Sequence, residues 1–135
     1  MTILRPLGIV RFGRLGRLHL TVLLLLALPL TLAAVARPQT ETQKIEILIK
    51  GLANLKGAKF LRNGGEYDAK TAATFLRGKW QKHSKEITTA AQFVDKIASM
   101  SSTSGKPYQI RFPDGRTVLS SAYLKEELKK LEREP

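Results

Sequence analysis

Six residues carry most of the recognition chemistry in this sequence: Arg62, Asn63 and Tyr67 in one stretch, and Ser104, Lys106 and Tyr108 in another. If the two stretches come together, these side chains line one edge or cleft and make a polar binding groove with aromatic walls. A structural reading stands beside this one. In it, Asn63 and Gly64 make a turn, Tyr67 and Tyr108 are half-buried wall residues, and Arg62 satisfies loop carbonyls or Asp68. A weaker option is an anion cradle built from successive loop N–H groups and Lys106.

Catalytic constellations are harder to assemble. Beyond residue 36 the chain has a single histidine, His83, and no cysteine. A structural zinc site takes four nitrogen or sulfur ligands, which excludes zinc. Glu66 and Asp68 could be a fragment of an oxygen-ligand calcium site, but a turn residue and a helix N-cap account for them better. A serine–histidine–acid triad would have to use His83, which falls at a lysine-rich helix end and reads as a solvated surface residue. Ser104 and Lys106 stand two apart in an extended segment, so they point to opposite sides, which does not favour a dyad. Gly105-Lys106 echoes a phosphate loop, yet Met100 occupies the place of the first glycine and Pro107 follows the lysine. No metal, cofactor or catalytic residue is expected.

The elements that would position the six residues follow from periodicity and punctuation. Residues 37–41 read as a lead-in and 42–135 as a single domain. Thr40-Glu41-Thr42-Gln43 matches a capping box. Ile45, Leu48, Ile49, Leu52 and Leu55 then share one helical face, and Gly57 is placed to end a helix that runs to Lys56. Ala58–Asn63 reads as a strand, Asn63-Gly64-Gly65 as a turn, Tyr67 as extended, and Asp68 as the cap of a helix from about Ala69 to His83. Gly78 inside that helix implies a kink or a close neighbour. Thr89-Ala90-Ala91-Gln92 is a second capping box, opening a helix that ends near Met100. Tyr108–Phe112 alternates like a half-buried strand. Pro113-Asp114-Gly115 turns the chain, and Thr117–Leu119 returns. Ser120 or Ser121 then caps a last helix with Leu124, Leu128 and Leu131 on one face and a supporting Glu126–Lys130 pair. The expected fold is α+β: about four helices on a three-stranded antiparallel sheet, in the order α-β-α-α-β-β-α.

Residues 1–36 look different. Arg5, Arg11, Arg14 and Arg17 form a basic stretch without an acid, and the apolar run Leu20–Leu32 and Ala34-Val35-Ala36 follow. This is the pattern of a signal peptide cleaved after Ala36. Pro29 and the short apolar run argue against a membrane span. The absence of an Arg-Arg pair points to the general secretory route, and the absence of a cysteine excludes a lipid anchor. The remaining 99 residues hold 19 basic and 11 acidic side chains, a net charge of +8. That charge favours an anionic partner, either a cell-envelope component or a protein, although a solvated basic surface explains it equally simply. Export argues against nucleic acid.

The pieces Phe60-x-Arg62-Asn63-Gly64, Tyr67-Asp68, Leu76-x-x-Lys79 and Ser104-Gly105-x-Pro107-Tyr108 resemble those of the small exported bacterial proteins grouped as the DUF5329 family. The resemblance covers nearly all of the chain beyond the leader. It implies no assigned activity. It also implies that relatives carry cysteines at the places of Ala58 and Phe112, so the strands bearing them would be neighbours. This chain lacks that bridge, and packing by Phe112 would have to serve instead. The expected function is an exported, periplasmic binding or interaction module. The alternatives are a small periplasmic hydrolase or enzyme subunit, and an inner-membrane-anchored domain that retains its leader.

Overall fold

A computed structural model describes residues 37–133. The leader and cleavage site expected at residues 1–36 lie outside the described residues. The elements run α1 (Glu41–Ala53), β1 (Lys59–Arg62), β2 (Gly65–Asp68), α2 (Ala69–Lys82), α3 (Ala90–Gln92), β3 (Gln109–Arg111), β4 (Thr117–Leu119) and α4 (Ser120–Arg133). α3 runs directly into a π-helical turn, Phe93–Ile97. Among the described residues no helix is long and apolar enough to cross a membrane.

The fold is α+β with four helices, as the periodicities predict, but the sheet has four strands rather than three, in the order β2-β1-β3-β4. The additional strand is Gly65–Asp68. Asn63 (φ 50°) and Gly64 (φ 81°) both take positive φ, which makes a two-residue hairpin turn and folds β2 antiparallel onto β1. The element order is therefore α-β-β-α-α-β-β-α. The two hairpins β1–β2 and β3–β4 join through the antiparallel pair β1–β3, with Phe60 opposite Ile110. That register, continued by one residue, sets Ala58 opposite Phe112. The ring of Phe112 packs on Tyr123 at 5.9 Å, and the Arg116 guanidinium lies over it.

One face of the sheet is inward. Tyr67, Phe60, Ile110 and Val118 form one cross-strand row on it. Phe60 and Ile110 are buried with Ile45, Leu48, Ile49 and Leu52 of α1, Leu76 of α2, Phe93, Val94 and Ile97 of the π-helical segment, and Leu124 and Leu128 of α4. The other face is polar, and Glu66 and Arg111 form an ion pair across it.

Both capping boxes form. Thr40 exchanges bonds with Gln43, and Thr89 with Gln92. The first helix opens at Glu41, so the lead-in ends at Thr40. The helix stops at Ala53, with Asn54 as its C-cap, rather than at Lys56. Gly57 (φ 71°) instead turns the chain into β1, and a Cβ there would lie 2.9 Å from the Pro113 ring. Gly78 has no neighbour within 4 Å of the place a Cβ would take, so close packing does not explain it. The third helix does not run on in α form to Met100. Its bonding switches to i→i+5, with Ala98 N–H donating to Phe93 O at 3.0 Å. Ser120 is the first residue of α4 and its hydroxyl caps nothing. On α4 the ion pairs are Glu126–Lys129 and Glu127–Lys130, in place of Glu126–Lys130.

Candidate functional site

The β1–β3 pairing brings the two chemistry-bearing stretches together. Register places Arg62 beside Gly65 on one flank, and Ser120 N–H donates to Tyr108 O at 2.9 Å on the other. Continued by one residue, the β1–β3 register sets Arg62 opposite Tyr108. Arg62 therefore lies on the same face of the sheet as Phe60, toward α2. Its guanidinium rests over the Phe75 ring, 4.0 Å from the centroid, and Phe75 meets Tyr108 edge to face at 6.2 Å. A guanidinium stacked this way keeps its in-plane N–H groups available.

Between these side chains and α2 lies a cavity of about 120 Å³, walled by Phe60, Tyr67, Phe75, Leu76 and Tyr108, with Ala72 and Thr71 along the helix. Arg62 and Ser120 supply its polar wall. Arg62 Nε and Ser120 Oγ are both buried without a hydrogen-bond partner. Ser120 is 1% exposed. Unpartnered buried polar atoms are uncommon in folded proteins, and each needs an explanation. Tyr67 stands on the edge strand, 40% exposed, at the open side of the cavity. Gly65 makes room for its ring, because a Cβ at that glycine would sit 3.0 Å from the Tyr67 hydroxyl.

Asn63, Ser104 and Lys106 belong to a neighbouring structure. Asn63 Nδ2 donates to Ser101 Oγ at 3.2 Å, and Ser104 Oγ donates to Asn63 Oδ1. These bonds tie the hairpin turn to the loop before β3. Within that loop Gly105 N–H donates to Ser101 O, Lys106 N–H to Ser104 Oγ, and Ser101 N–H to Lys106 O. The N–H groups of Ser101, Ser104, Gly105 and Lys106 are thus used within the loop. Lys106 is exposed and does not line the cavity. Asp68 caps α2, accepting from Thr71 N–H at 2.7 Å, and that bond holds its carboxyl below the usual range. His83 is at the surface, 3.7 Å from Glu86.

Three contributors were not picked out as site residues from the sequence: Phe75, Lys79 and Ser120. Phe75 and Lys79 share a stripe of α2 at i, i+4, a spacing visible in the sequence. Lys79 Nζ donates to Ile97 O at 3.0 Å and Met100 O at 2.9 Å and lies 5.3 Å from the Tyr108 ring centroid. Burial lowers the Lys79 pKa, and the nearby Arg62 charge lowers it further. Burial raises the Tyr108 phenol, opposed by Arg62 and by the Ser101 hydroxyl.

A small α+β domain with an aromatic-walled pocket and an inward-facing arginine is thus the class defined by fold and site. The chain belongs to the family of unknown function DUF5329, whose model matches residues 39–132. It is also similar to the uncharacterized protein YfeK of Salmonella typhimurium, 42% identical over 83 residues, which are 61% of this chain and 69% of the relative. No solved structure matches the chain.

Proposed function

We propose that this protein is an exported, periplasmic binding or interaction module that receives part of a cell-envelope component or of a protein partner in the pocket beneath α2. The observation that carries this reading is the cavity of about 120 Å³ with aromatic walls and two buried polar atoms, Arg62 Nε and Ser120 Oγ, that have no partner among the described residues. Pockets that bind small groups are mostly apolar with a few placed polar atoms. The basic leader with its apolar run and Ala34-Val35-Ala36 supports export. The net charge of +8 beyond the leader supports attraction to an anionic surface or ligand.

The reading is tested in cells producing the full chain with a photo-crosslinking residue at Tyr67 or, as a control, at Lys129 on α4. Expected are a periplasmic protein and discrete adducts from position 67 that disappear when Ala72→Leu fills the cavity. Adducts from position 67 no stronger than those from 129, or retention of the protein in the cytoplasm, would overturn it.

A further inference from the structure

The pocket's chemistry narrows what it accepts. Arg62 stands half-buried on the inner face of the sheet, with its Nε out of reach of solvent. Among the described residues no carboxylate pairs with it. The nearest acids in sequence are engaged elsewhere: Glu66 pairs with Arg111 on the outer face, and Asp68 caps α2. Stacking on Phe75 covers the flat face of the guanidinium and the Tyr108 hydroxyl meets part of its edge, while Nε is buried and has no partner among the described residues. The Ser120 hydroxyl, also buried and unpartnered, lines the same cavity. Lys79 lies across the Tyr108 ring and adds positive potential, although its own protons go to Ile97 O and Met100 O. The apolar space is close in size to an engineered cavity of about 150 Å³ that takes a benzene ring.

We propose that the pocket takes a small organic carboxylate with an aryl or short alkyl body. The carboxylate meets the guanidinium edge of Arg62, and the body lies between Phe60, Phe75 and Tyr108. An arginine edge offers two parallel N–H donors, which match the two oxygens of a carboxylate. The Ser120 hydroxyl fixes the position of a polar atom on the body or of one carboxylate oxygen. This assignment rests on the pocket being a binding site, as proposed above.

The test uses protein purified from cells producing the full chain, titrated with 3-phenylpropionate and, in parallel, with the neutral 3-phenyl-1-propanol. Binding is read by calorimetry and by resonance shifts at Tyr108 and Ser120. The acid is expected to bind at least about tenfold more tightly than the alcohol, the size of one charge-assisted contact. Arg62→Gln should bring the acid down to the level of the alcohol, and Arg62→Lys should retain part of the preference. Equal binding of acid and alcohol by the unaltered protein would overturn the carboxylate assignment while leaving the pocket as a site. Binding of neither would overturn the assignment, and the Tyr67 crosslinks would then decide the pocket separately. Because the acid–alcohol comparison is made on the unaltered chain, it does not depend on any variant folding.

Discussion

Arg62 is placed where it has little to add to stability and much to offer the proposed ligand. Its side chain faces inward, its Nε lacks a partner among the described residues, and it gains stacking on Phe75 at 4.0 Å and a contact with the Tyr108 hydroxyl. A cation over a ring contributes roughly 0.5–2 kcal/mol, and an unsatisfied buried donor costs about as much. Arg62→Met keeps a long stem over Phe75 and removes the orphaned donor. Its unfolding free energy should stay within about 1 kcal/mol of the parent's in urea titrations, even as carboxylate binding is lost. A loss of several kcal/mol would mean that the guanidinium holds the sheet end together. The sequence marked Arg62, Tyr67 and Tyr108 as candidates but not their partners. Phe75 has the spacing of an apolar core stripe on α2, with Ala72, Leu76 and Trp80, which marks it as packing and not as recognition. Ser120 read as a cap because serine before a helix usually is one. Only the three-dimensional arrangement sets Phe75 against Arg62 and Ser120 in the wall of the same cavity.

At the scale of elements, the π-helical turn matters most. Such turns are rare inside α-helices and tend to sit where geometry must be re-aimed. Here the turn delivers the carbonyls of Ile97 and Met100 to the ammonium of Lys79. Lys79 thereby pins the end of that segment to α2, next to the loop that carries Ser101, Ser104 and Tyr108. Lys79→Met should lower stability by about 1–2 kcal/mol, the size of lost hydrogen bonds to a charged donor. Amide exchange should also quicken across residues 98–106. Unchanged protection there would show that the ammonium is dispensable. The turn itself left no trace in the sequence, because i→i+5 bonding is set by what surrounds the helix. Strand β2 reads in the sequence only as an extended piece at Tyr67, not as a member of the sheet, for a related reason. Glu66, Tyr67 and Asp68 are all exposed, so no alternation of apolar and polar residues betrays the strand. Its identity comes from pairing with β1 through the Asn63-Gly64 turn, whose residues were read correctly without the strand beyond them.

Across the whole molecule, one carboxylate joins the first helix to the third. Glu41 accepts from Ala90 N–H at 2.7 Å and pairs with Lys44 at 2.8 Å. The Lys44 bond, then the Ala90 N–H, hold its carboxyl below its ordinary value of 4.5. A carboxylate whose folded pKa is depressed stabilises the fold above its unfolded pKa. That contribution is lost as pH falls through the folded one. Glu41→Gln should therefore be less stable than the parent at neutral pH, with the gap closing as the pH is taken below about 4. A gap that persists unchanged into acid, followed by denaturant midpoints, would remove the ionic part of this link. The helices, their two capping boxes and the β3–β4 hairpin were all legible as local patterns. The long-range ties, Glu41 to Ala90 and Asn63 to Ser101, were not, because nothing in their spacing records which distant groups they meet.

The joining of two hairpins through β1 and β3 has a kinetic consequence. Each hairpin closes over a short loop and can form early, whereas Phe60 and Ile110 must find one another across most of the domain. Bringing such distant segments together is the slow event in small domains, because loop closure must precede any compensating contact. The rate at which this chain reaches its native state should therefore be governed by the docking of preformed halves. Until they dock, the aromatic cavity does not exist, so the proposed ligand would be captured after folding and would not assist its first steps.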